Sequence, residues 1–257
     1  MTTSASRWAN DLASWGIPQE ILEQAPTSPW IHPPALFFVP EVIPSTKSHE
    51  LAREALSDGG SILDVGCGGG IAAFAATPPA THVIGVDHQQ EMLEMFGNEA
   101  NSRGVTHEEF FGDWPDVAGE VPVADVATCH HVVYNVSDIV PFINVLDAHA
   151  RKRVIIEIPQ HHPLAMMTSA WKHFWNLDRP TNPTSDDLLT IVRDLGFDAQ
   201  MTNWESPLGR EIPFEQQVEF MRIRLCLPES RDGDVAEFLK SQPGTNTRIL
   251  STIWWDK

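Results

Sequence analysis

The stretch LDVGCGGG, residues 63 to 70, ends the short apolar run SILDV and leads into IAAFAA, which reads as a helix. Four glycines between a strand and a helix leave a loop nearly bare of side chains, so backbone can lie close to a ligand. The same arrangement commits its surroundings to a strand-loop-helix unit, the repeating element of α/β folds. The rest of the chain keeps that rhythm. SILDV, THVIGVD, HEEFF, VADVATC and RVIIEI read as strands, interleaved with IAAFAA, QQEMLEMFGNEANSRG and a helical stretch near residues 138 to 150. Alternating strands and helices imply right-handed crossovers and a parallel sheet covered on both faces. VIGV, VADVA and VIIEI are almost continuously apolar, as strands buried on both sides should be.

Flanking signals extend the pattern. STKSHELAREAL predicts a helix capped by Ser45 and stopped by Gly59-Gly60. Thr184 and Asp187 form a capping-box pair opening DDLLTIVRDL, with Gly196 at its end. FDAQMTNW and TRILSTIWW read as closing strands around a further helix after Pro213, in EQQVEFMRIRL. Residues 1–44 carry Trp8, Trp15, Trp30, Phe37 and Phe38 among many prolines, too aromatic for a linker, and are expected to form an irregular packed cap. Residues 45–257 then form one α/β domain, with an aromatic insertion at about 160–183. There Trp171, Phe174 and Trp175 share a helical face. That face suits core packing, or, with Trp30, Phe37 and Phe38, a roof over a pocket. Lys172 and Arg179 are placed on solvated surface, or against an anionic group of a substrate.

A chain of 257 residues with 42% hydrophobic side chains suits one large domain. Its formal charge of -18 repels phosphate backbones and anionic lipid, so neither nucleic acid nor a membrane surface is an expected partner. Cys67, Cys129 and Cys226 lack metal-ligand spacing, and the N-terminus lacks a basic-then-apolar leader, which implies a reducing, cytoplasmic setting. No apolar run approaches the roughly 18 residues of a membrane span.

Spacing leaves the ligand of the loop open. Read from its first glycine, a dinucleotide fingerprint needs a small residue where Ile71 stands, whereas Gly68, Gly70 and Ala73 satisfy the frame shifted by two. A nicotinamide cofactor therefore stays in play. Against it stands Asp64, whose carboxylate would repel a pyrophosphate and attract a nucleoside bearing cationic groups.

Asp64-x-Gly66-x-Gly68-x-Gly70 resembles the first motif of class I S-adenosylmethionine-dependent methyltransferases. That resemblance covers about residues 45 to 205. It implies a doubly wound, mostly parallel sheet of about seven strands with one antiparallel strand near the end, and S-adenosylmethionine as cofactor. The loop residues Asp64, Val65, Gly66, Cys67, Gly68 and Gly70 would line the cofactor. Asp87, ending the second strand, would hold the ribose beside His88. Asp113 and Trp114 would hold the adenine, and His130 would contact the cofactor from the fourth strand. In isolation Asp87 or Asp113 would read as a cap of the next helix or turn.

The methyl acceptor is expected above the ends of the fourth and fifth strands. CHHVVYN places His130, His131 and Tyr134 there, and IEIPQHHP adds Glu157, His161 and His162. His131, Tyr134, Glu157 and His162 are the candidate catalytic residues, of which histidine or a partly buried glutamate suits the abstraction of an acceptor proton. Adjacent histidines in a strand point opposite ways, so no metal site is expected. HHVVYNV, the insertion and the PW-x-HP motif at Pro29 to Pro33 also resemble a group of bacterial methyltransferases without an assigned acceptor. The resulting expectation is methyl transfer from S-adenosylmethionine to a small molecule. Its rivals are a non-catalytic cofactor-binding regulator, an NAD-dependent oxidoreductase, and a methyltransferase acting on protein or RNA. Oligomeric state is left open.

Overall fold

The structure, a computed structural model, describes residues 3–30, 38–207, 213–242 and 247–257. Phe37 and residues 31–33 of the PW-x-HP motif lie outside the described residues. The elements run α1 (Ser4–Ala13), α2 (Gln19–Leu22), α3 (Lys47–Ala55), β1 (Ser61–Val65), α4 (Ile71–Ala75), β2 (His82–Asp87), α5 (Gln90–Arg103), β3 (Thr106–Phe111), β4 (Ala124–His130), α6 (Ile139–Ala148), β5 (Ala150–Pro159), α7 (Thr168–Trp175), α8 (Ser185–Asp194), β6 (Gln200–Pro207), α9 (Phe214–Arg224), α10 (Asp232–Ser241) and β7 (Thr247–Asp256).

The strands form one seven-stranded sheet ordered β3-β2-β1-β4-β5-β7-β6. β1 through β5 run parallel to one another, and β7 runs antiparallel between β5 and β6. The direction of winding reverses between β1 and β4, and a crevice opens at such a point outside the carboxyl ends of the strands. The glycine loop and the histidine pair fall there.

Helices bury one core on each face of the sheet. Leu51, Leu56, Phe74 and Phe96 pack with Ile62 and Val83 on one side; Phe142, Leu146, Leu188 and Ile191 pack with Val154 and Trp255 on the other. The second core also takes in Trp8, whose indole N–H donates to the Val136 carbonyl at 2.8 Å. The cap is thus helical in part: residues 4–13 and 19–22 are helices, with Thr3 accepting from the Ser6 N–H, and the rest of its described residues are irregular. The start of α3 also differs from expectation. Thr46, not Ser45, caps it: its hydroxyl accepts from the His49 N–H while the His49 ring accepts from the Thr46 N–H.

A third cluster lies apart from the sheet. Ile17 and Ile21 from the N-terminal segment, Met167 and Trp171 from the insertion, and Val218, Leu225, Val235 and Phe238 from α9, α10 and their connection form it. The aromatic stripe of the insertion is spent here as core rather than as a roof with Trp30 and Phe38, which are exposed. Helix α10, which the sequence reading leaves out, supplies part of its wall.

Candidate active site

The glycine loop is shaped by the two acids beneath and beside it. Gly66 has φ 70°, and a Cβ on it would stand 2.4 Å from Val132 Cγ2, so the turn needs glycine for both its handedness and its neighbour. The N–H groups of Gly66 and Cys67 both donate to the Val86 carbonyl, and the Gly70 N–H donates to Cys67. Gly68 N–H donates to Asp87 Oδ2 at 2.9 Å, and Ala73 N–H donates to Asp64 Oδ2 at 3.3 Å. Five N–H groups of the turn and helix start, those of Gly66, Cys67, Gly68, Gly70 and Ala73, are therefore already taken, two of them by carboxyl groups. These include Gly68, Gly70 and Ala73, the frame that kept a nicotinamide cofactor in play.

Asp64 is 1% exposed and lies under the turn. Burial raises its pKa to about 8, with the Ala73 N–H opposing and Asp87 adding to the shift. It braces the first turn of α4 through the Ala73 N–H, so its carboxyl lies under the turn rather than open to a ligand beside it. Val65 and Cys67 are buried in the cores on either side of the loop.

Asp87 caps the turn that follows β2. Its Oδ1 accepts from the Gln89 N–H and its Oδ2 from Gly68, both at 2.9 Å, which ties the loop to the start of α5. A carboxylate has about four acceptor sites, so two remain beyond these bonds. The His88 Nδ1 lies 4.0 Å from Asp87 and 3.9 Å from Asp113, bridging the ends of β2 and β3. Asp113 is exposed, its side chain 79% open to solvent. Trp114 is held from behind: its indole N–H donates to the Phe142 carbonyl and its ring meets His149 edge-on. It anchors the turn that presents Asp113.

At the ends of β4 and β5, paired in register as His130 and Glu157, a second polar cluster forms. Glu157 is buried, with its Oε1 3.3 Å from His131 Nε2 and 3.8 Å from His130 Nδ1. Thr46 donates to its Oε2 at 3.3 Å. Burial pushes the carboxyl pKa up, but His130, His131 and Ser48 outweigh that and hold it well below the usual carboxylate range. Glu157 is thus an anion supported by its neighbours. His130 goes the other way: burial lowers its pKa to about 4, against the pull of Glu157, and its ring stacks on that of His49 at 5.7 Å. His131 adopts a left-handed conformation, φ 62°, that turns it out of the strand and leaves its side chain 40% exposed. With Nε2 facing Glu157, its Nδ1 is the ring nitrogen left as an acceptor.

Tyr134 and His162 are engaged in packing. The buried Tyr134 hydroxyl donates to the Pro159 carbonyl at 2.9 Å, and its ring stacks on Trp8. Burial raises the phenol pKa further. His162 Nδ1 accepts from the Leu164 N–H, its ring stacks on Trp15 at 4.2 Å, and burial lowers its pKa to about 4. His161 pairs with Thr184 in an isolated bridge. Among the described residues no group of three or more His, Cys, Asp or Glu is arranged to hold a metal, and no helix is long and apolar enough to cross a membrane.

Thr46, Ser48 and His49 were not visible as site residues. They precede the glycine loop, carry no motif of their own, and reach Glu157 because α3 packs on β5.

A protein-family model described as "Methyltransferase domain" matches residues 41–201. The ubiquinone biosynthesis O-methyltransferase of Leptothrix cholodnii is 26% identical over 166 residues, covering 56% of this chain and 67% of its own length. The uncharacterized methyltransferase YcgJ of Bacillus subtilis is 32% identical over 82 residues, only 31% of its length. Among solved structures, that of YcgJ superposes with a TM-score of 0.54 at 18% identity, covering 82% of this chain and 97% of its own. Magnesium protoporphyrin IX methyltransferase from Synechocystis, with bound S-adenosylhomocysteine, gives 0.50 at 16% identity, covering 80% of each chain. At these identities the structural likeness is one of fold.

Proposed function

The chain belongs to the methyltransferase-domain family and is an S-adenosylmethionine-dependent methyltransferase, and on that premise we propose that it methylates a hydroxyl or similar protonated group of a small molecule, with His131 as base. The observation that carries this reading is the His131–Glu157 pair at the ends of β4 and β5, across the topological switch from the glycine loop.

The cofactor residues fit the group they would hold. The glycine loop would lie along it, Asp87 would accept from the ribose hydroxyls with its two spare acceptor sites, and Asp113 beside His88 would accept from the adenine amino group. When bound, S-adenosylmethionine supplies an electrophilic methyl group on sulfur. The chain's own task is to align the acceptor and to take up its proton.

His131 Nδ1 would receive that proton. Glu157, ionised and accepting from Nε2–H, would fix the tautomer and stabilise the imidazolium that results. Tyr134 and His162 shape the wall without exchanging protons. A base is needed where the nucleophile carries a proton, and the similar Leptothrix cholodnii protein is named for O-methylation. The net charge of -18 disfavours RNA as the acceptor.

The test is in two stages. Calorimetric titration with S-adenosylhomocysteine and with NADH should show binding of the first alone. Incubation with S-adenosylmethionine and a panel of small phenols, alcohols, amines and carboxylic acids, followed by mass spectrometry, should give products heavier by one methyl group. Transfer confined to protein or RNA substrates would sink the small-molecule reading.

A further inference from the structure

Arg179 is a buried cation with no ion-pair partner among the described residues. It is 8% exposed and sits at the junction of the third hydrophobic cluster with the segment after β5. Its two terminal nitrogens donate to the Trp15 and Gly16 carbonyls. The guanidinium carbon lies 5.2 Å from the Trp15 ring centre and 5.3 Å from that of Trp171. Among the described residues no carboxylate forms an ion pair with it. The adjacent Asp178 is exposed and pairs instead with Lys172 at 2.8 Å.

Buried charges are ordinarily paired, and buried N–H groups ordinarily have acceptors. Here two donors in contact with each other's side chains lack one: the Arg179 Nε and the Trp171 Nε1, the latter on a residue 1% exposed. Among the described residues no Asp or Glu of this acidic chain forms an ion pair with this guanidinium. The aromatic faces and carbonyls hold the cation, but among the described residues its Nε–H has no acceptor and its charge no counter-ion. His162, stacked on the same Trp15, accepts at Nδ1 and so carries its ring proton on Nε2, which adds a third donor to the neighbourhood. What is missing is an acceptor with negative charge.

We propose that Arg179 and Trp171 form a binding site for the oxyanion of a small molecule, a carboxylate or a phosphate, and that the methyl acceptor brings it. The inference rests on the acceptor reading only for which molecule carries the anion. The site lies beside Trp15, His162 and Tyr134, the wall that follows β4 and β5, so an acidic acceptor would place its charged end here and its reacting end toward His131. An anionic acceptor would otherwise be opposed by the chain's net charge.

The test uses the whole chain and simple probes. Thermal melts in rising sodium phosphate or sodium acetate, each against sodium chloride at equal ionic strength, should show a saturable rise in melting temperature for one oxyanion beyond the chloride control. Response to acetate assigns a carboxylate and response to phosphate a phosphoryl group. Trp171→Phe keeps the ring and removes only its N–H; it should melt like the wild type in chloride and bind the oxyanion about tenfold more weakly. Arg179→Lys should weaken it further. Melts identical in oxyanion and chloride, or a Trp171→Phe protein that responds like the wild type, would overturn the site. S-adenosylhomocysteine binding measured on the same samples separates this from the function: binding without an oxyanion response removes the site alone, while an oxyanion response without that binding removes the methyltransferase reading and leaves the site.

Discussion

His131 is joined to Glu157 twice: its Nε2 stands 3.3 Å from Glu157 Oε1, and its backbone N–H donates to the Glu157 carbonyl at 2.7 Å. The second bond fixes the left-handed residue that aims the ring, and the first fixes which ring nitrogen faces the cleft. Orientation and tautomer thus come from one neighbouring residue across the β4–β5 ladder.

Substitution of His131 by Gln should lower kcat by about 10²–10⁴, the usual worth of a general base, with S-adenosylhomocysteine affinity unchanged. Glu157→Gln should lower it as well, through loss of the tautomer and of imidazolium stabilisation. Single-turnover rates and calorimetry on the same variants check this; full activity in His131→Gln would remove the base from the mechanism.

Asp87→Ala should weaken cofactor binding by about 1.5–3 kcal/mol through the ribose contacts. It should also lower the melting temperature of the unliganded chain, because the Gly68 and Gln89 N–H groups lose their acceptor. Cofactor affinity equal to that of the wild type would show that Asp87 only braces the loop.

Gly66→Ala places a methyl group 2.4 Å from Val132 Cγ2 at a φ of 70°. The left-handed backbone and the overlap together should cost roughly 2 kcal/mol or more. Val132→Ala opens the space, so the double variant should be less destabilised than the two single losses added together. Strict additivity in urea denaturation would show that the overlap is not the source of the cost.

Asp64 keeps its proton in the folded chain up to about pH 8, whereas an unfolded aspartate loses it at about 3.9. Between these values the folded state binds one more proton than the unfolded one, so the contribution of this group to stability falls as pH rises and levels off above 8. The advantage of Asp64→Asn over the wild type should therefore grow from pH 4 to 8. A constant difference across that range would contradict the burial of an ionisable group under the loop.

His130 has the opposite slope. Its folded pKa of about 4 lies below that of an unfolded histidine, about 6.5. Its contribution is complete above the unfolded value and is lost as pH falls toward 4. Denaturation midpoints at pH 7 and pH 5 should show the wild type losing more stability on acidification than His130→Gln, and an equal loss would place the ring in solvent.

The regular elements were legible because their causes are local. Apolar runs of strand length, glycines at turns and the Thr184–Asp187 cap lie within a few residues of each other, and Asp87 and Asp113 could be placed at strand ends for that reason. Where local signals were thin, the reading failed: α1 is built from short polar residues around one buried tryptophan, and α10 opens on Asp-Gly-Asp. The chain by itself determined a doubly wound sheet with a glycine loop at its switch point. Tertiary structure alone decided how the loop's N–H groups are spent, that Thr46 meets a carboxylate 111 residues away, and that Arg179 lies 164 residues from the Trp15 carbonyl it holds. Hydrogen bonds and burial between distant segments depend on which faces pack together. No residue's neighbours along the chain carry that information.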